Sequence, residues 1–298
     1  MFNKEQGYDV IEMRGAILRG EIGEPCYPVY HYRIALPPGA EIEKIEIAEI
    51  EKTDIPGEYE LYPKQPPIPL IKNYSDPEFV PLKPEILEKE TPYPSEIVQN
   101  IRTGTKGGFQ IGAFYICPIR YIPAKGKLEL VEYIKLRIYY KEGEALGFHE
   151  RIIKNMAKVV KCMVVNPEDV EAYKELLKSA PRKTSKILPP GDYEYVIISR
   201  EDWKSAWEPL IRWKHKKGVP AKFYSIEDIL TSYSGDNNQE KVKKFIADAY
   251  NTWGTLWFLL GADIDIIKHA PCYGKVGSII DNNIASTRFF EDLYKGSN

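Results

Sequence analysis

Two hydrophobic periods run through this sequence, and they change over at Pro181 to Asp192, PRKTSKILPPGD. Upstream the period is two. Leu128, Leu130, Ile134, Leu136, Ile138 and Tyr140 alternate with Glu129, Lys135 and Arg137, the pattern of a half-buried strand. Similar runs cover Tyr8 to Leu18, Pro28 to Leu36, Glu41 to Glu51 and Phe109 to Ile116, broken by Pro37-Pro38-Gly39 and Pro56-Gly57. Short strands with such punctuation predict an antiparallel β-sandwich. Tyr62 to Pro94 is too rich in proline to serve a strand ladder, so it is expected as an extended segment covering an edge. Asn166-Pro167 reads as an N-cap followed by proline at the first helical position. Val170, Tyr173 and Leu177 then recur at helical spacing to about Ser179.

Downstream the order becomes strand, helix, strand, helix, strand. YEYVIIS is followed by a helix to about Lys217, then VPAKFYS, a helix over Gln239 to Asn251, and LWFLLGA. The first helix carries Trp203, Trp207, Leu210, Ile211 and Lys214 on one stripe and is expected to kink at Pro209. The second carries Val242, Phe245, Ile246, Ala249 and Trp253, with Gly254 as its stop. Helices with one apolar face between short apolar strands predict a parallel α/β sheet with right-handed crossovers. The expected division is therefore a β-rich domain over residues 1–185, closed by a short helix, and an incomplete α/β domain over 186–298. The stretch between them is expected to be an exposed linker, and Arg182, Lys183 and Lys186 make it a candidate processing site.

The chain has 298 residues, room for two domains. A net charge of −2 gives no summed field toward phosphate backbones, so nucleic acid is not an expected partner. No apolar run approaches the ~20 residues of a bilayer-spanning helix. Met1 to Val10, MFNKEQGYDV, lacks the apolar stretch of a secretory leader. Cys26, Cys117, Cys162 and Cys272 include no C-x-x-C pair, which removes zinc ribbons and dithiol redox motifs. Asn73-Tyr74-Ser75 fits a glycosylation acceptor.

For nucleophilic catalysis, the sequence offers His269 and Cys272 in HAPC, but the intervening proline denies them a helical approach. His215 lies in a basic helix end, and His31 and His149 carry no motif. YEYVIIS is followed by Arg200-Glu201-Asp202 and not by a glycine-rich loop, which disfavours a dinucleotide site. Asp263 and Asp265 follow an apolar strand, where open α/β sheets hold ligands. They are the candidate metal ligands, against a plain loop cap. Glu201, Asp202 and Asp263 as a phosphoacceptor pocket are disfavoured, because no clear strand and helix alternation continues after Asp265.

The second half resembles the opening of the catalytic region of gingipain-type cysteine peptidases. The resemblance rests on Tyr195 to Ser199, Pro209 to Lys214 with Gly218, Val219 to Ile229, Val242 to Trp253, and Leu256 to Gly261 with Asp263. The first half resembles the prodomain of that family through Gly57 to Pro69, GEYELYPKQPPIP, and Cys117 to Tyr140. The resemblance implies a caspase-like α/β fold, a prodomain that inhibits and assists folding, and contact between prodomain and catalytic domain. It also implies a protein or peptide substrate and an extracellular or cell-surface location. It requires no cofactor for the chemistry and admits a structural calcium ion. In that family the catalytic histidine, usually before glycine, and the nucleophilic cysteine are expected further along than this sequence runs. No catalytic residue is carried onto it, and the chain by itself is expected to be inactive. Ser286 to Phe290 matches a place where many members have Thr-Asp before aromatics, with Arg288 in place of the aspartate. The rival reading is a non-enzymatic inhibitor or cell-surface interaction module.

Overall fold

The computed structural model describes residues 2–68, 78–182, 184–276 and 279–291. The glycosylation triplet Asn73 to Ser75, Lys183 and the terminal residues 295–298 lie outside the described residues. Two compact units are found: residues 1–144 with 160–170, and residues 145–159 with 171–298.

The first unit is antiparallel. β1 (Phe2–Glu5) pairs with β2 (Tyr8–Ile11). β3 (Ile17–Arg19), β4 (Tyr27–Leu36) and β5 (Glu41–Ile55) follow, then the one-turn helix α1 (Pro84–Leu87). β6 (Val98–Lys106), β7 (Phe109–Ile116), β8 (Ile119–Ile122) and β9 (Lys127–Lys141) complete it. A four-stranded sheet has the order β3-β4-β7-β6 and a three-stranded one the order β5-β9-β8. The β6–β7 connection needs left-handed backbone at Gly107 (φ 55°) and Gly108 (φ 92°), so two glycines close the hairpin without a Cβ penalty.

Phe114 and Ile116 of β7 and Tyr32 and Ile34 of β4 share one apolar cluster with Ile45 and Ile50 of β5 and Val131, Ile134, Leu136 and Ile138 of β9. Both sheets thus contribute to a single core. Pairing of β5 with β9 shifts register between Glu51↔Tyr133 and Lys52↔Val131, leaving Glu132 as an extra residue. That bulge changes the strand's parity, which is how Val131 and Ile134 both reach the core while Leu128 and Leu130 join a second cluster with Ile11, Leu61 and Tyr121. Tyr140, expected on the buried face, is 44% exposed near the strand end.

The expected single run Tyr8 to Leu18 is two strands, β2 and β3, parted by a turn at Arg14-Gly15. The start of the proline-rich segment, with Glu60 before it, runs beside β2 and Cys26. Asp9 N donates to Glu60 O (2.7 Å), Tyr62 N to Asp9 O (2.9 Å) and Cys26 N to Tyr62 O (2.8 Å).

Two helices follow, α2 (Glu150–Lys161) and α3 (Asp169–Ser179). Val170 and Leu177 of α3 are fully buried, as the helical spacing requires. Asn166 does not cap α3 with its side chain. Its Nδ2 donates to Ala35 O (3.0 Å) and its Oδ1 accepts from Ala35 N (2.8 Å), so the amide completes a strand-like pair with β4.

In the second unit β10 (Tyr195–Ser199) lies between β11 (Ala221–Ser225) and β12 (Trp257–Leu260), parallel to both. The crossovers are α4 (Lys204–Lys216) and α5 (Ile226–Ser232) with α6 (Asn238–Trp253). A hairpin of β13 (Ala270–Val276) and β14 (Ile279–Ser286) and the turn α7 (Arg288–Glu291) close the described chain. The expected face of α6 is buried throughout, in one core with Val196 and Ile198 of β10. Trp203 falls outside α4, in a 3-10 turn over Glu201–Trp203, and is 39% exposed. α4 continues through Pro209, and its stripe of Trp207, Leu210, Ile211 and Lys214 is half-buried.

The stretch expected to be an exposed linker is exposed at Pro181, Arg182, Thr184, Lys186, Ile187, Pro189, Pro190 and Asp192, and a few residues between these tie it to α6. Ser185 N donates to Thr252 Oγ1 (2.9 Å), the Ser185 hydroxyl donates to the Asp248 carboxylate, and Trp253 Nε1 donates to Pro189 O (2.8 Å). Leu188 is buried in the same core as Trp253. Burial of this one apolar side chain favours the docked backbone at that point.

Candidate functional site

In an open parallel sheet the carboxyl ends of the strands are where helix N-termini and loops converge, so ligands sit there. Here those ends are Ser199, Ser225 and Leu260. Ser199 is fully buried, and its hydroxyl donates to Gly261 O (2.6 Å), while Gly261 N donates to Ile198 O (2.8 Å). These two bonds hold the turn after β12 against the end of β10. A Cβ on Gly261 would lie 2.6 Å from Trp207 Cζ2, so the indole of α4 rests directly on this glycine. Ser225 caps α5 by accepting from Asp228 N (3.0 Å), the arrangement that Ser-x-x-Asp spacing favours.

Acidic groups ring the same edge. Glu227 accepts from Glu201 N (3.1 Å), and Asp202 forms a two-point pair with Arg200 at 2.9 and 2.7 Å. Asp263 and Asp265 are exposed in the turn after β12. Asp263 Oδ1 accepts from Ile264 N (2.6 Å), and its carbonyl accepts from Ile266 N and Ile267 N (both 3.0 Å). This is the geometry of a loop cap. Calcium takes six to eight oxygens, and two carboxylates with one oxygen already committed do not supply that shell. Among the described residues no group of three or more His, Cys, Asp or Glu side chains is placed to hold a metal ion.

The HAPC pair is not assembled as a dyad. His269 Nε2 faces Asn283 Oδ1 at 3.2 Å, and Cys272 Sγ points to Ala270 O at 4.0 Å, in a strand position opposite Ile284. The other histidines have structural places. His215 Nε2 meets Ala221 O (2.9 Å), tying the end of α4 to β11. His31 packs at a tilt against Tyr115, with ring centres 4.9 Å apart, and burial holds its pKa below the ordinary value. His149 packs on the backbone of Gly254, with burial and then Arg182 and Arg151 lowering its pKa. Cys26 and Cys117 are buried, and burial pushes the Cys117 thiol up to about 12, the opposite of what a nucleophile needs.

Sequence reasoning singled out Asp263 at this edge but missed Ser199, Ser225, Glu227 and the contact of Trp207 with Gly261. Ser225-Ile-Glu-Asp228 was a visible capping signature. Nothing in the sequence marked Ser199, because a serine ending an apolar strand has no spacing rule.

A model described as the propeptide of family C25 matches residues 3–177, and one described as peptidase family C25 matches residues 188–277. Lys-gingipain from Porphyromonas gingivalis is 22% identical over 268 residues, covering 87% of this chain and 15% of the relative. Lys-gingipain W83 of the same species is 22% identical, with 87% of this chain and 14% of the relative covered. The chain thus spans about 15% of the length of the curated relatives it matches. A solved structure concerned with the zymogenic latency of gingipain K from that species aligns at a TM-score of 0.39 and 23% identity, covering 48% of this chain and 81% of that one. The complex of the P. gingivalis RgpB pro- and mature domains aligns at 0.45 and 15% identity, covering 56% and 86%.

Proposed function

Because the chain belongs to peptidase family C25, carrying the propeptide and the start of the peptidase region, we propose that it is the N-terminal portion of a cysteine endopeptidase held latent by its own first domain. The observation that carries this reading is the order of the two matches, 3–177 and then 188–277, on a β-rich unit followed by a parallel α/β unit. In functional terms the boundary stays at residues 185 and 186, in the gap between those matches. The two antiparallel sheets with a shared core are read as a β-sandwich prodomain, and β11-β10-β12 as the opening of a caspase-like sheet. The prodomain acts on the peptidase domain to inhibit it and to assist its folding.

The chemistry of the whole protein is attack of a cysteine thiolate on a peptide carbonyl, with a histidine as base and backbone amides stabilising the oxyanion. Neither His269 nor Cys272 is assigned to that pair. The substrate is a protein or peptide, no cofactor takes part, and the location is extracellular or at the cell surface. Among the described residues no helix is long and apolar enough to cross a membrane. A calcium ion at Asp263 and Asp265 would need oxygens from elsewhere.

The test is the intact mass of the product isolated from its own source, against the 34.3 kDa of this chain. A much larger mass, with a His-Gly and a cysteine downstream, is expected. A mass near 34.3 kDa would overturn the peptidase reading in favour of an inhibitor or surface module.

A further inference from the structure

Residues that face each other across antiparallel strands share one side of the sheet, so the register of β3-β4-β7-β6 sorts its side chains. Tyr32 and Ile34 of β4 and Phe114 and Ile116 of β7 take the core side. His31 and Arg33 alternate with them and stand on the outer side, His31 opposite Tyr115 and Arg33 opposite Ala113. β6 joins this outer side through a bulge. Gln99 pairs with Tyr115 and Arg102 with Ala113, so Asn100 and Ile101 together oppose Phe114. Asn100 adopts φ 52°, left-handed backbone in a residue other than glycine, and Ile101 is left 40% exposed. Strict alternation from Gln99 would aim Arg102 at the core, and the extra residue turns it outward.

The outcome is a gathering of cations. Arg33 and Arg102 flank Ala113, two strand spacings or about 10 Å apart at the backbone, with a single methyl group between them. In the next row the Arg19 guanidinium lies 4.6 Å from the centre of the Tyr115 ring, and His31 packs against the same ring. Among the described residues no carboxylate is within ion-pair distance of Arg19, Arg33 or Arg102, and the guanidinia of Arg33 and Arg102 make no hydrogen bond. The other sheet treats its cations differently, since Lys44, Lys135 and Lys141 each pair with a glutamate of β5. The charge on Arg33 reaches His31, whose pKa it lowers further after burial has done so. Like charges held together without a counter-charge repel, and an anion among them offsets that cost.

We propose that Arg33 and Arg102, with His31 beside them, form a binding site for a tetrahedral oxyanion, a phosphate or sulfate group, held over Ala113. Each guanidinium presents a planar fork of N–H donors that can meet two oxygens of such a group. Ala113 supplies the floor, because a larger side chain there would fill the space between the two arginines. The bulge at Asn100 and Ile101 is then the device that brings the second arginine to the site, at the cost of an exposed isoleucine. This gives the β-rich unit a ligand of its own, and the assignment stands apart from the peptidase reading.

The test titrates the 298-residue chain with inorganic phosphate, inorganic sulfate and heparin at constant ionic strength, followed by calorimetry. Saturable binding is expected, weakened at least tenfold in the Arg33→Gln, Arg102→Gln double variant, which keeps most of each side-chain stem. Ala113→Leu keeps every cation and fills the space between them, and should weaken binding to a similar degree. Lys135→Gln with Lys141→Gln, on the other sheet, should change binding less than twofold. Unfolding midpoints measured without anion confirm that the variants are folded. Saturation by the inorganic ions as tightly as by heparin would assign the site to a free ion. Binding of heparin alone, lost in the arginine variant, would assign it to a group carried on a polymer. No binding of any probe would overturn the proposal, as would undiminished binding in the arginine variant or in Ala113→Leu. Equal losses in the arginine and lysine variants would also overturn it, because the attraction would then be diffuse surface charge.

Discussion

The hydroxyl of Ser199 donates to the carbonyl oxygen of Gly261 at 2.6 Å, joining the carboxyl ends of β10 and β12 across 62 positions of sequence. Ser199 is fully buried, so Ser199→Ala leaves the Gly261 carbonyl without its donor at a site with little water. The expected cost is about 1–2 kcal/mol in denaturant unfolding, with the strand order retained.

Gly261 is fixed by sterics. Its Cβ position lies 2.6 Å from Trp207 Cζ2, so Gly261→Val must push α4 off the end of the sheet. A loss of about 1–3 kcal/mol is expected, measured by thermal or denaturant unfolding, and Gly261→Val with Trp207→Ala should recover part of it.

His149 gives the α/β unit a dependence on pH. Burial, then Arg182 and Arg151, lower its pKa from an ordinary 6.5, so the unfolded chain takes up a proton before the folded one does. Stability from this group is complete above pH 6.5 and is lost as pH falls through the folded value. Unfolding free energies measured from about pH 7.5 down to about pH 5 should decline, and His149→Gln should flatten this part of the decline.

Asp263 acts as a loop cap. Asp263→Ala removes the acceptor for Ile264 N and should cost about 1 kcal/mol, and that cost should be the same with and without added calcium. A calcium-dependent difference in melting temperature between Asp263→Ala and the unsubstituted protein would show a cation site instead.

The core of the β-rich unit should respond as a well-packed interior. Leu128 is fully buried beside Ile11, Leu61, Ile119 and Tyr121, and Leu128→Ala is expected to cost about 2–5 kcal/mol by denaturant unfolding.

Much of this architecture was legible because periodicity reports burial. β4, β7 and β9 were read within a residue or two, and the buried face of α6 was read completely, since each element carries its own apolar repeat. β6 was missed because VQNIRTGTK is polar on an edge, although Gly107-Gly108 before β7 is a hairpin signal. α2 was missed because its apolar residues, among them Ile152, Ile153, Ala157 and Val160, sit between lysines, and the first-turn amide of Arg151 is met by His149 Nδ1 (3.2 Å), a residue type that no capping preference marks. The linker is exposed at most of its described residues, as its proline, lysine and glycine content led one to expect, but Leu188 and Ser185 bind α6 as single residues that no period reveals. At the candidate site, Asp263 could be placed by its position after a strand, whereas the bond between Ser199 and Gly261 is a tertiary pairing that only the folded sheet creates.

Latency imposed by the β-rich unit is tested most directly by peptide hydrolysis by the natural product, measured before and after proteolysis that degrades that unit, with and without a thiol-alkylating reagent. Hydrolysis that rises at least tenfold on loss of that unit and is abolished by alkylation is the predicted result. Absence of hydrolysis in both states, or hydrolysis that alkylation leaves unchanged, would contradict it.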